Sequence, residues 1–244
     1  MNDLEYHQLA ELEDRLWHFE ALHGHVRRAF SKHKLPATAK VLDAGCGTGG
    51  LLRRMGNWWP ETKREGLDFS PLAVEFARKR VGCNITEGSI TALPFAENSF
   101  DAIISLDVLC QVEQPQTALR EFARCLRPGG LVVINVPAYR WLWSYHDDAV
   151  QSCHRFSRAE VVNLLRDAGL QPVYTTYWNT LLFPAIVIRR KLLPAPRNGT
   201  SDVHDYAPWI SALLRGLLAI ERAWLNTGLT LPFGTSVFAV ARHR

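Results

Sequence analysis

From about residue 38 the chain alternates short apolar, β-type runs with segments whose apolar positions recur at helical spacing. The strand-type runs are Lys40–Asp43, Arg64–Asp68, Cys83–Glu87, Asp101–Leu106, Leu131–Val136, Val173–Tyr177 and Ser236–Ala241. Between them, Gly50–Met55, Pro71–Val81, Pro115–Cys125 and Arg158–Ala168 read as helices, the last closed by Gly169 as a C-cap. This alternation predicts an α/β fold, a parallel sheet covered by helices. Ahead of it, in residues 1–37, Leu9, Leu12, Leu16, Phe19 and Leu22 keep a helical register, which predicts a leader of one or two helices packed on the sheet. Residues 38–244 read as one domain. It carries an insert, residues 180–232, between the last two strands: two apolar helical stretches joined by Pro194-Ala195-Pro196-Arg197-Asn198-Gly199.

Composition narrows the class. The 244 residues are 47% hydrophobic and 21% charged, ordinary globular usage that excludes disordered, collagen-like and coiled-coil chains. Against 24 acidic residues stand 28 basic ones; a net charge of +4 over this length does not point to nucleic acid. The five cysteines are scattered with no CxxC pair, against a zinc knuckle or a disulfide scaffold and in keeping with a reducing compartment. The start is acidic and polar, unlike a signal peptide, and no apolar run approaches the roughly 20 residues of a membrane span. A cytoplasmic protein is expected.

The most informative stretch is Val41-Leu42-Asp43-Ala44-Gly45-Cys46-Gly47-Thr48-Gly49-Gly50, a strand entering a glycine loop that opens a helix. Glycines let a ligand approach the backbone, and the helix N-terminus offers free N–H groups. Gly45, Gly47 and Gly50 fit the dinucleotide pattern GxGxxG; Asp43, Gly45, Gly47 and Gly49 fit DxGxGxG. Both schemes want an acid at the end of the next strand to hold ribose hydroxyls, and Asp68 supplies it. The loop alone leaves a nicotinamide cofactor and another adenosine-containing cofactor open.

Further along stand Leu93-Pro94-Phe95, Ser99-Phe100-Asp101, Leu106-Asp107-Val108-Leu109 and Leu126-Arg127-Pro128-Gly129-Gly130. With these motifs in order, the sequence resembles the class I S-adenosylmethionine-dependent methyltransferases of the small-molecule branch, over about residues 38–178 and again at the last strand. The resemblance implies a Rossmann-like sheet of seven strands, mostly parallel, with an antiparallel last strand and helices on both faces. It implies S-adenosylmethionine as cofactor, with Asp43, Gly45, Cys46 and Gly47 around its methionine end and Asp68 on the ribose. Phe69 and Ser70 would lie beside the adenine, Ser89 and Ile90 at its edge, and Leu106 on the far side. Relatives often carry Asp at Ser89 and His at Gln111, so the adenine contact would lack a charge and that histidine base is missing. A nicotinamide-dependent oxidoreductase and a non-catalytic S-adenosylmethionine-binding scaffold remain the alternatives.

The acceptor, a small molecule, is expected beyond the fifth strand, since ligands of open α/β sheets bind outside the carboxyl ends of strands. There Tyr139, Trp143, Tyr145 and Arg155 are candidate acceptor contacts, and His146 and His154 candidate bases, with Asp147 to orient one of them. The same residues also read as a loop brace, with Asp147 paired to Arg155 and the aromatics packed as a lid. No metal site is expected, because His146, Asp147, Asp148 and His154 have no recognised ligand spacing. Trp17, His18 and Phe19 of the leader are candidates to cap the cofactor or the acceptor. The insert has three readings: extra core or a homodimer face, a roof over an apolar acceptor, or a surface resting peripherally on a membrane. Oxygen is the preferred methylated atom, ahead of nitrogen and carbon.

Overall fold

The computed structural model describes residues 3–194 and 205–244. Seven strands form one sheet: β1 (Lys40–Ala44), β2 (Lys63–Asp68), β3 (Asn84–Glu87), β4 (Phe100–Leu106), β5 (Leu126–Pro137), β6 (Leu170–Trp178) and β7 (Ser236–His243). Their order is β3-β2-β1-β4-β5-β7-β6. The pairs on the β3-to-β5 side are parallel, while β7 runs antiparallel to both β5 and β6. The strand order therefore reverses between β1 and β4, where a crevice opens at the carboxyl ends of the strands.

Alternate side chains of each strand serve opposite faces. Leu42, Ile103, Val132 and Ala239 pack under α5 (Pro115–Cys125) and α7 (Arg158–Asp167) through Leu119, Phe122, Val161 and Leu165. Their neighbours Val41, Ile104, Val133 and Val240 pack on the other side under α2 (Trp17–Lys32), α3 (Gly50–Trp58) and α9 (Pro208–Asn226), through Val26, Phe30, Met55 and Leu225. A smaller cluster seats α4 (Pro71–Arg80) on Leu52 and Ile85.

Local rules explain the helix ends. The Ser70 side chain accepts from Ala73 N at the start of α4, Pro71 fills its first position, and Arg78, Lys79 and Arg80 complement the dipole in its last turn. Gly169, at φ +79°, follows α7 in the left-handed region, as its C-cap role requires. The leader is two helices, α1 (Asp3–Leu12) and α2, and the insert contains α8 (Phe183–Lys191) and α9. Most of the link expected at 194–199 lies outside the described residues. Strand β5 is longer than its apolar run predicts, because Leu126 pairs with Phe100 before an irregularity in the ladder.

Candidate functional site

Strand β1 ends in a turn that only glycine adopts without strain. Gly45 has φ +92°, and a Cβ there would run into the Val108 side chain. The N–H groups of Gly45 and Cys46 donate to Leu67 O at 2.7 and 2.9 Å. Gly47 N, at φ +51°, donates to Asp68 Oδ2 at 2.8 Å, and Ser70 N donates to Asp68 Oδ1 at 3.0 Å. Asp68 is buried at the end of β2, and burial raises its carboxyl pKa despite these two bonds.

The leader closes over this turn. Glu13, just after α1, accepts from Gly50 N at 3.1 Å, from Thr48 Oγ1 at 2.6 Å and from Arg80 Nη1 at 3.1 Å. Its carboxylate thus caps the N-terminus of α3. A cavity of about 90 Å³ remains, lined by Asp43, Gly45, Cys46, Gly47, Leu51, Leu106 and Asp107 from the sheet side and by Leu9, Glu13, Phe19, Leu22 and His23 from the leader. Burial, reinforced by Glu13 and Asp68, pushes the Asp43 carboxyl well above its ordinary range. Burial likewise holds His23 near pKa 3, hence neutral, and its Nδ1 has no hydrogen-bond partner.

Asp107 follows β4 at φ +59° and begins a chain of polar contacts. Asn135 Nδ2 donates to its Oδ1 at 2.8 Å, and Trp178 Nε1 donates to Asn135 Oδ1 at 2.7 Å. His18 stacks on Trp178 with ring centroids 5.1 Å apart. Burial lifts the Asp107 carboxyl to about 7, against the lowering effect of Asn135 and Arg155.

Beyond β5, the Tyr139 ring stacks on Tyr177 at 5.1 Å and on Trp141 at 5.8 Å, and Phe183 of α8 meets both Tyr139 and Phe233. Burial lifts the Tyr139 hydroxyl to about 12. The short helix α6 (Tyr145–Ala149) starts at Ser144, whose N donates to Asp147 Oδ2 at 2.8 Å. Arg155 Nε donates to Asp147 Oδ1 at 2.7 Å and Arg155 Nη1 to Ala138 O at 2.8 Å.

The cavity brings together Asp43, Gly45, Cys46, Gly47 and Leu106 from the expected cofactor set. Asp68, Phe69 and Ser70 adjoin it through the turn at the end of β2, with Phe69 largely exposed. Ser89 holds Thr91 through its hydroxyl, and Ile90 is buried beside them. Two expectations are corrected. Asp147 does not orient a histidine, because both its oxygens are taken by Ser144 and Arg155. Arg155 does not face an acceptor, because its side chain is 1% exposed in that ion pair. His154 Nε2 lies 3.3 Å from Glu113 O, away from the cavity lining. Trp143 Nε1 donates to Asp148, the Tyr145 ring lies under Arg189, and His146 is in the same turn of helix. Of the leader candidates, Phe19 lines the cavity. Sequence reasoning missed Glu13, His23 and Asp107; of these only Asp107 carried a signal, adjoining Leu106 in the motif after β4.

A methyltransferase domain family matches residues 42–134. Malonyl-[acyl-carrier protein] O-methyltransferase of Enterobacter lignolyticus is 32% identical over 216 residues, covering 84% of this chain and 83% of that protein. The chain belongs to the class I S-adenosylmethionine-dependent methyltransferases. Another methyltransferase relative, 24-methylenesterol C-methyltransferase 3 of Arabidopsis thaliana, is 27% identical over 221 residues, covering 76% of this chain. The chain spans 61% of that relative's length. Among solved structures, geranyl diphosphate C-methyltransferase of Streptomyces coelicolor, determined with S-adenosyl-L-homocysteine, shares the methyltransferase fold at TM-score 0.60 and 18% identity, covering 90% of this chain and 76% of that one. Membership in the methyltransferase family decides between the two glycine schemes in favour of DxGxGxG and removes the nicotinamide reading.

Proposed function

We propose that this chain transfers the methyl group of S-adenosylmethionine to a small, apolar acceptor. The carrying observation is the acidic cavity that Glu13, Asp43 and Asp107 line beside the glycine turn. A sulfonium or an ammonium group entering there opposes the burial that raises the Asp43 and Asp107 carboxyls and favours their charged form. The glycine turn, with no side chains of its own, leaves the backbone open to close approach. When bound, the cofactor supplies a methyl group already electrophilic enough to need no activation by the protein.

In this reading Asp43, Gly45, Cys46, Gly47 and Leu106 surround the methionine end, and Asp68 takes the ribose hydroxyls. Phe69, 79% exposed, offers a bare ring to the adenine, with Ser70, Ser89 and Ile90 around it. The protein's remaining work is alignment and exclusion of water. Asp107 takes the proton that an alcohol or phenol must lose, which keeps oxygen the preferred acceptor atom. That role replaces the ones expected for His146 and His154.

The aromatic group around Tyr139, Tyr177 and Phe183 favours an apolar acceptor, as do relatives named for a sterol and a prenyl diphosphate. The insert, residues 180–232, gives such an acceptor its route, through contact with a membrane or with a second copy of the chain. Release of S-adenosylhomocysteine, measured against prenylated quinols, sterols and water-soluble catechols, tests the reading. Release that depends on an apolar acceptor is the expected result. Cofactor binding without turnover of any acceptor would leave the scaffold alternative standing.

A further inference from the structure

Glu13 is an acid that the fold buries, with its side chain 7% exposed. Its Oε2 gathers three donors: Thr48 Oγ1 at 2.6 Å, Gly50 N at 3.1 Å and Arg80 Nη1 at 3.1 Å. The first two belong to the glycine turn and the start of α3; the third comes from the end of α4, where Arg80 Nη1 also donates to Thr48 Oγ1 at 2.8 Å. A hydroxyl, a backbone N–H at a helix start and a guanidinium together make a carboxylate subsite, and the leader fills it with its own acid. Burial raises the Glu13 carboxyl despite these donors, so its charge is held there at a cost.

The cavity that Glu13 lines lacks what this subsite has. Among the described residues its lining carries the carboxyls of Glu13, Asp43 and Asp107 but no lysine or arginine. The N–H groups of Gly45, Cys46 and Gly47 are already committed to Leu67 O and to Asp68. A methionine brings two charges. Asp43 and Asp107 suit its ammonium, whereas the guanidinium at hand for its carboxylate, that of Arg80, is covered by Glu13. His23 lines the same cavity, 2% exposed and with no partner for Nδ1, as in a space shaped for a polar occupant. Reach agrees as well. Asp68, which takes the ribose in the reading above, accepts from Gly47 N, three residues before Gly50. Three residues span at most roughly 11 Å, a distance suited to the arm that joins ribose to carboxylate in S-adenosylmethionine.

We propose that Glu13 holds the place of the cofactor's methionine carboxylate, and that on binding it gives up Thr48 Oγ1, Gly50 N and Arg80 Nη1 to that group. One carboxylate replaces another, so the Arg80 guanidinium is never left without a partner. The inference rests on the S-adenosylmethionine reading and adds to it a subsite and a competitor within the chain. Asp14 separates the idea from that of a simple lid. It pairs with Arg80 Nη2 at 2.7 Å and with Arg53 Nη2 at 2.8 Å, outside the cavity lining. It therefore ties down the same end of α1 without occupying the three donors.

Calorimetry of the full chain tests it with two ligands, S-adenosylmethionine and its decarboxylated form, which keeps the sulfonium and the ammonium. Glu13→Gln is expected to bind S-adenosylmethionine about tenfold tighter, since the competitor has lost its charge, and to gain nothing toward the decarboxylated ligand. Asp14→Asn loosens the same end of α1 and is expected to shift both affinities by one common factor. The ratio of the two affinities is read within each variant, so a general loss of stability does not imitate the result. Glu13→Gln that tightens both ligands alike would make Glu13 a latch only. Weaker binding of S-adenosylmethionine by that variant would make Glu13 a partner of the ammonium. Either result overturns the proposal and leaves the cofactor reading standing. Wild-type protein that binds neither ligand would overturn both.

Discussion

Asp68 commits both carboxylate oxygens to backbone N–H groups, one on the glycine turn and one at the start of α4. Asp68→Ala is therefore expected to weaken S-adenosylmethionine binding by at least ~1.5 kcal/mol, through the loss of charge-assisted bonds, and to lower the thermal midpoint as the turn loosens. Calorimetry and a melting scan read the two effects. Asp107 makes a different prediction. In the fold it keeps its proton up to about pH 7, whereas its ordinary value is 3.8. Its contribution to stability is complete below pH 4 and is lost as pH rises through 7. Asp107→Asn keeps an acceptor for Asn135 and removes that loss, so its thermal midpoint should gain on the wild type as pH goes from 5 to 8.5. If Asp107 takes the acceptor's proton, the wild-type rate rises with pH through about 7, and the variant lacks that limb. Equal pH profiles for the two proteins would remove Asp107 from the chemistry.

At the scale of elements, α2 is a helix built for neutrality. His23 and His25 are buried on it, and burial first, then the arginines nearby, hold both near pKa 3. The unfolded chain protonates them near pH 6.5, so the fold loses stability as pH falls from 6.5 toward 3. By pH 4.5 the loss is about 2 kcal/mol or more for each. His25→Asn should flatten the acid side of a stability profile measured by urea unfolding. The strands and most helices were legible because their cues are local: apolar runs, Ser70 with Pro71, Gly169. The cofactor turn was legible for the same reason, since glycine spacing is a backbone requirement. Glu13 was not, because its partners Thr48, Gly50 and Arg80 lie 35 to 67 positions away and an acid on a polar helix is unremarkable by itself. The strand-five loop misled in the opposite direction. Histidine, aspartate and arginine side by side read as chemistry, yet Asp147 and Arg155 form a buried brace that holds the loop to Ala138.

Taken as one object, the molecule places two unlike surfaces at the carboxyl ends of its strands, an acidic cavity under the leader and an aromatic cluster under the insert. The chain from Asp107 through Asn135 to Trp178 and His18 connects β4, β5, β6 and α2 across that edge. Family resemblance reached the first surface, because its motifs lie in the sheet; leader and insert carry no such motif, and their roles follow only from what they touch. The bridge from Glu13 to the glycine turn then governs time as well as space. The partly open cavity of about 90 Å³ is well short of the roughly 300 Å³ at which ligand pockets begin, so seating the methionine end of the cofactor there is expected to shift α1. If that shift gates association, its observed rate should rise with ligand and then level off at the frequency of opening, where an ungated encounter keeps rising linearly. A product whose release needs the same shift is expected to leave no faster than that, with opening then a ceiling on turnover. Stopped-flow traces of the wild type and of Glu13→Gln, whose latch is weaker, should differ in that plateau, with the variant faster in both directions.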